Sequence, residues 1–345
     1  LFVHLLTGGR PQNVGTLLFG NLFPWERTAV RLINATTGEV SRQSPSMNAL
    51  LMTIGFLCML TLSSGISHAT PYSFAELNLP PTGLTFAYDI NDMDAIVGES
   101  GTGDGFLLTG GSLTALSAPW SSRTVATGIN DVGQIVGFTE GNTPGSHGFS
   151  YFGGAYTQLD VPGATSTLAL GINNRGEIVG AYRDTSGLHG FLYSSGVFST
   201  IDAPGAGGQT LARGINEAGT IAGEFDATHG FLYSAGTFLQ LDVPGATVTR
   251  AFGIDNRDQV VGLYEDGSGR TYGFLYSGGT YETIRYPDSG RTVAAGINDS
   301  GLIVGLAGNS GFVATPIPEP EMYALILLGL GLLALNQGRR KPMVA

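Results

Sequence analysis

The stretch Tyr72-Ser73-Phe74-Ala75-Glu76-Leu77-Asn78-Leu79-Pro80 is a near copy of Gly236-Thr237-Phe238-Leu239-Gln240-Leu241-Asp242-Val243-Pro244. In the later position it is the last strand of a repeating unit, whereas in the earlier one it stands alone with no unit ahead of it. The final unit, anchored at Asn298, has the opposite defect: it supplies three strands, ends near Ala314, and lacks a fourth. One end holds what the other end is missing, which is how a ring closes with strands from both ends of a chain. An open solenoid has no use for such a segment and needs polar caps instead. The sequence therefore predicts an all-β six-bladed β-propeller of four-stranded antiparallel blades, closed by N- and C-terminal strands. A β-solenoid is the alternative.

The repeat itself covers residues 70–315. An anchor of the Gly-Ile-Asn kind recurs, its last residue falling at Asn91, Asn130, Asn173, Asn216, Asp255 and Asn298. Four residues before each anchor stands Ala87, Ala126, Ala169, Ala212, Ala251 or Ala294. Seven residues after it stands Gly98, Gly137, Gly180, Gly223, Gly262 or Gly305. A Gly-Phe pair follows, at Phe106, Phe149, Phe191, Phe231, Phe274 and Phe312. Periods of this length mark stacked units, because four strands in about 40 residues cannot bury both faces of a sheet alone.

One unit parses as strands at 167–172, 177–182, 189–193 and 197–202. The turn after the anchor carries Gly133, Gly176, Gly219 and Gly301, with Asp94 and Asp258 in the other two copies. These residue types tolerate the positive φ of a tight hairpin. Pro-Gly pairs at Pro162, Pro204 and Pro244 suit the reversal into the next unit. The alanine and the glycine two positions on are expected on one face of strand one, close to the axis. The Phe of Gly-Phe and pairs such as Ile135-Val136 are expected to fill the layers between sheets.

The composition is too apolar for a disordered chain and too poor in Lys, Glu and Leu periodicity for a helical one. Glycine occupies 54 of 345 positions, charged residues make up 12%, and the formal charge is −11. Within residues 70–315 there are 9 Arg, no Lys and 23 Asp+Glu, a balance of −14. A nucleic-acid partner, which calls for a basic footprint, is excluded from the expectations.

Both ends read as processing segments. Residues 1–46 read as a mis-assigned start or disordered leader, since the first Met is Met47. Residues 47–69 read as a signal peptide: an apolar core from Ala49 to Leu62, then Ser67-His68-Ala69, with cleavage after Ala69. The lone Cys58 lies inside that core, so the mature chain has no thiol, disulfide or Cys-based metal site. At the other end, residues 316–345 hold Pro318-Glu319-Pro320, an apolar run from Met322 to Leu335, and Arg339-Arg340-Lys341. Fourteen residues make a helix of about 21 Å, short against a hydrocarbon core of about 30 Å. This order of elements resembles the PEP-CTERM sorting signal of Gram-negative bacteria. The resemblance implies transient membrane anchoring through a short transmembrane helix, processing by an exosortase, and delivery to the cell surface or exterior.

The repeats resemble the HAF family of extracellular repeats, named for a His-Ala-Phe motif. The matching tripeptides are His147-Gly148-Phe149, His189-Gly190-Phe191 and His229-Gly230-Phe231, while Asp104, Tyr272 and Ser310 take the histidine's place elsewhere. The resemblance implies an envelope role and carries no catalytic residues.

Candidate chemistry is sparse. The three histidines sit on strand three, where equivalent residues on neighbouring sheets are about 10 Å apart, too far for one zinc ion with ligands at about 2.1 Å. The densest acidic loop, Asp89-Ile90-Asn91-Asp92-Met93-Asp94, faintly resembles a calcium loop. Most copies carry one carboxylate there, so hydrogen bonds to the turn backbone are the expected role. No cofactor is expected. Because the repeats look alike and catalysis usually breaks symmetry, the chain reads as a non-enzyme, with a glycan-active enzyme or a purely structural matrix protein as alternatives.

Length variation points to a binding face. From the glycine after strand two to that of Gly-Phe the distance varies between 6 and 11 residues, while the rest of the unit is nearly constant. Variable loops on a rigid scaffold carry recognition. The ligand rim is therefore expected at Glu140, Asn142, Arg183, Asp184, Asp226, Glu265, Asp266 and Arg270. The function expected is that of an exported envelope or matrix propeller that contacts exopolysaccharide or a surface protein through the strand two–three loops.

Overall fold

A computed structural model describes residues 72–77, 79, 85–142 and 144–317. The leader, the signal peptide with Ala69, and the sorting segment from Pro318 onward lie outside the described residues. Among the described residues no helix is long and apolar enough to cross a membrane.

Twenty-four strands form six four-stranded antiparallel sheets. Each of the first five blades is built from four consecutive strands. In blade 3 these are Ser166–Ile172, Ile178–Arg183, Leu188–Ser194 and Val197–Ile201, within one residue of the sequence reading at every boundary. The sixth blade takes its fourth strand from the other end of the chain: Tyr72–Leu77 pairs antiparallel with Ser310–Pro316, from Tyr72 opposite Pro316 to Leu77 opposite Gly311. The ring closes as the orphan segment predicted.

The repeated residues form one row across each blade. In blade 3, Ala169 pairs with Gly180 and Gly180 with Phe191. The glycine is obligatory because a Cβ there would lie 1.9 Å from the Leu168 carbonyl oxygen and 2.7 Å from the Phe191 ring. The six phenylalanines are among the largest fully buried side chains, each contributing about 1.5–3 kcal/mol by its removal from water.

Layers between blades follow one recipe. Val136 of blade 2 packs with Ala169, Ile172, Ile178 and Phe191 of blade 3. Val304 of blade 6 packs in the same way with Ala87, Ile90, Ile96 and Phe106 of blade 1. In Ile135-Val136 and its equivalents the isoleucine faces its own layer and the valine the next, as period-two alternation requires.

One detail differs from the sequence reading. Strand one does not keep the alanine and the residue two positions on facing the same way: the register shifts between them, as between Ala169 and Gly171. The bulge sets Gly171 against the Arg213 carbonyl and Gly214 Cα of the next blade.

Candidate functional site

The six first strands surround an axial bore of about 470 Å³. At one mouth lie the anchor turns, at the other the strand two–three loops and the inter-blade connections. Gly133, Gly176, Gly219 and Gly301, and likewise Asp94 and Asp258, all have positive φ, as the hairpins require.

The anchor mouth is bound by two belts. Within each turn the anchor oxygen accepts backbone N–H groups, as Asn91 Oδ1 does from Met93 at 3.1 Å and Ala95 at 2.9 Å. This is the role expected for these residues. The anchor Nδ2 then reaches the next blade. Asn91 donates to the Asn130 carbonyl at 2.9 Å, Asn130 to Asn173 at 3.1 Å, Asn173 to Asn216 at 3.1 Å, and Asn216 to Asp255 at 3.0 Å. The belt breaks at Asp255, which has no N–H to give, and resumes where Asn298 donates to the Asn91 carbonyl at 3.1 Å. One residue further on, a second belt is complete. Each backbone N–H donates to the side-chain oxygen of its neighbour around Asp92, Asp131, Asn174, Glu217, Asn256 and Asp299.

Neighbouring first strands approach closely two residues before each anchor. Five blades place glycine there: Gly128, Gly171, Gly214, Gly253 and Gly296. A Cβ on any of them would come within 2.4–3.1 Å of the next blade. The first blade places Asp89 at this position. Its Oδ2 accepts the Ile129 N–H at 3.0 Å. Burial pushes the carboxyl up to about 7, against the opposing pull of the Ile129 and Ile90 N–H groups.

Two charged clusters lie on opposite sides of the ring, and of the residues in and beside them Tyr88, Arg213, Arg250 and Phe252 line the bore. In blades 1 and 2, Arg123 holds buried Glu99 through Nε at 2.6 Å and Nη2 at 2.9 Å, and Glu140 through Nη1 at 2.5 Å. Tyr88 stands beside Glu99, and its phenol is pushed up to about 12, chiefly by burial. In blades 4 and 5, buried Glu224 takes Arg213 Nε at 2.7 Å together with a close Nη2 contact, and lies 3.0 Å from Arg250 Nε. The Arg213 guanidinium also sits 4.9 Å over the Phe252 ring.

The rim residues behave unevenly. The inter-blade connections hydrogen-bond to the strand two–three loops, for example Thr165 N–H to the Arg183 carbonyl at 2.7 Å and Thr247 N–H to the Glu265 carbonyl at 2.8 Å. One shared rim results. Asn142 Nδ2 ties to the Trp120 carbonyl at 3.0 Å. Asp184 accepts from the Ser186 N–H at 2.7 Å, Asp266 from the Ser268 N–H at 2.8 Å, and Asp226 adopts φ 52°. These side chains shape their own loops. Arg183 and Arg270 project outward, exposed.

The strand-three histidines have a local task. Nδ1 of His147, His189 and His229 meets Asp160, Asp202 and Asp242 at 2.9, 2.8 and 3.0 Å, each thirteen residues on. Where histidine is replaced its partner changes too: Asp104 accepts from Ser117 Oγ at 2.5 Å, and Arg285 lies 6.0 Å over Tyr272.

Sequence reasoning missed Tyr88, Asp89, Glu99, Arg213, Glu224 and Arg250. Their signal was present, because each is a charged or aromatic departure at a position where most copies carry a small or apolar residue.

No family model matches the sequence, and no curated protein matches it. Among solved structures, virginiamycin B lyase from Staphylococcus aureus aligns at 12% identity and TM-score 0.47, over 71% of this chain and 100% of its own. The Aleuria aurantia lectin in complex with Fucα1-6GlcNAc aligns at 13% and 0.40, over 73% and 97%. YCF48 bound to D1 peptide aligns at 11% and 0.40, over 73% and 97%. The reading of the chain as a non-enzyme is corrected here. Virginiamycin B lyase and streptogramin B lyase are among these similar folds. The physical reason lies in the bore: the blades repeat in their packed layers, while the side chains that converge on the axis differ from blade to blade. At these identities the likeness speaks of the fold, a β-propeller.

Proposed function

We propose that this chain is an exported binding propeller of the envelope or extracellular matrix, which contacts exopolysaccharide or a surface protein through the strand two–three loops. An exosortase would release it at the Pro318-Glu319-Pro320 segment with its trailing Arg339, Arg340 and Lys341. The observation that carries the reading is the confinement of length variation to loops that share one rim with the inter-blade connections. A rigid ring with one variable face suits recognition. Glycan-array binding by the purified protein is the test. Retention of one glycan, lost in an Arg183→Ala/Arg270→Ala double variant, supports the reading, and silence across the array argues for a purely structural matrix role.

A second reading has its own observation. Asp89 is a carboxyl unique to one blade, deep in the bore and raised to about 7 by burial, and such groups mark sites of acid–base chemistry. A glycan-active enzyme would turn over the retained glycan and stop doing so as Asp89→Asn.

A further inference from the structure

Three arginines of the bore form a staircase. Arg213 stands three residues before the anchor of blade 4, Arg250 five before that of blade 5, and Arg291 seven before that of blade 6. All three line the cavity. Arg213 lies in the bulge between Ala212 and Gly214, Arg250 in the regular part of its strand opposite Leu263, and Arg291 just ahead of Thr292–Ile297, so each starts further from the anchor turns, by about 6.8 Å per two extended residues. The guanidiniums therefore climb from the middle of the bore to the loop mouth while moving one blade at a time round the wall.

Their charge is not balanced by protein. Glu224 is the carboxylate that meets Arg213 and Arg250, and Arg291 has no carboxylate partner among the described residues. The loop-side half of this wall therefore carries two unmatched positive charges, while Glu217, Asp255 and Asp299, which line the same cavity, stand at the anchor mouth. On the opposite wall one arginine, Arg123, meets two carboxylates, Glu99 and Glu140. The arginine wall itself also carries Phe252, Val293 and Leu306 toward the cavity. Cationic side chains facing a confined, partly apolar space hold an anion more strongly than they would in open water.

We propose that the loop-side half of the bore is a binding site for a carboxylate-bearing organic ligand, seated with its anionic group on Arg250 and Arg291 and its body against Phe252. The site is distinct from the outward rim arginines Arg183 and Arg270. The bore as a whole, about 470 Å³, is of the size that takes a small molecule or the end of a chain. A free small carboxylate and the uronate end of an acidic glycan share this chemistry.

Calorimetric titration of the purified protein with trigalacturonate and, separately, with phenylacetate tests the proposal. At least one probe is expected to bind saturably, and more weakly as salt is raised. Arg250→Gln and Arg291→Gln are each expected to weaken that binding about tenfold or more; the melting curve of Arg291→Gln is expected unchanged, whereas Arg250 is also a partner of buried Glu224, so Arg291→Gln is the decisive variant. Arg183→Ala/Arg270→Ala leaves it intact, which separates this site from the rim. Arg213 is left in place because its removal strands buried Glu224. Binding of trigalacturonate alone assigns an acidic sugar end, and binding of phenylacetate alone assigns a free small carboxylate. Absence of saturable binding for both probes, or binding that neither glutamine variant weakens, overturns the proposal.

Discussion

Asn298 donates its side-chain amide to the backbone carbonyl of Asn91 at 3.1 Å, across 207 residues of sequence. The same contact joins other neighbouring blades over 39 or 43 residues. A repeat contact becomes the ring's closure because the chain has come full circle. Asn298 is buried, and its Oδ1 also holds the Ser300 and Leu302 N–H groups. Its Nδ2 also reaches Asp94 Oδ1 at 3.2 Å, so Asn298→Ala removes four hydrogen bonds and leaves buried backbone groups without partners, and is expected to lower stability by about 2–4 kcal/mol. Urea unfolding measures it, and a loss below about 1 kcal/mol would show that the belt is incidental.

Asp255 offers the reverse experiment. It is the one anchor unable to donate, and its buried carboxylate is held by Arg257 Nε at 2.9 Å and Nη2 at 2.8 Å. Asp255→Asn supplies the missing N–H to the Asn298 carbonyl and removes a buried charge. A gain of about 1 kcal/mol is expected, roughly 2–4 °C in Tm for a domain of this size. A fall in Tm would mean that the pair with half-exposed Arg257 outweighs the belt.

Two glycines of blade 3 separate steric from conformational need. Gly180→Ala drives a Cβ to 1.9 Å from the Leu168 carbonyl, so a loss above about 3 kcal/mol or outright misfolding is expected. Gly196 has φ +84° with nothing within 4 Å of a built Cβ, and Gly196→Ala is expected to lose only about 1 kcal/mol. Equal losses in paired thermal melts would contradict the packed row.

Stability should fall as pH rises through two windows. Asp89 is raised to about 7 in the fold, against about 3.9 unfolded. Between those values the folded chain binds the extra proton, so stability declines from about pH 4 to 7, on the order of 4 kcal/mol in total, and then levels off. His189 is raised chiefly by its hydrogen bond to Asp202. Its contribution is full below about pH 6.5 and disappears as pH climbs through the folded value. Asp89→Asn should flatten the lower window and His189→Gln the upper one in denaturation across pH 4–9. A wild-type slope that survives Asp89→Asn would remove Asp89 as its source.

The closing strand can be tested at Phe74, whose ring packs edge-on to Tyr286 at 5.3 Å and Phe312 at 5.5 Å. Phe74→Ala is expected to destabilise by about 2–4 kcal/mol and to expose the edge of Ser310–Pro316 to unwanted pairing. Light scattering beside the melt would reveal the resulting aggregation, and an unchanged melt would argue against closure through this strand.

Periodic chemistry was readable in the chain itself. The alanine, glycine and phenylalanine of each row, the positive-φ turn residues, and the orphan segment at Tyr72 dictate blades and closure, because each meets a local backbone or packing need that is the same in every copy. The bulge after Ala169 and the belts of Asn and Asp residues depend on how neighbouring blades abut, and only the folded ring defines that. The bore was equally beyond a linear reading. Asp89 of the first copy, Arg213 and Glu224 of the fourth and Arg250 of the fifth appear in the sequence as isolated irregularities. They become one environment because closing the ring turns six distant first strands toward a common axis, where charge, burial and distance act together.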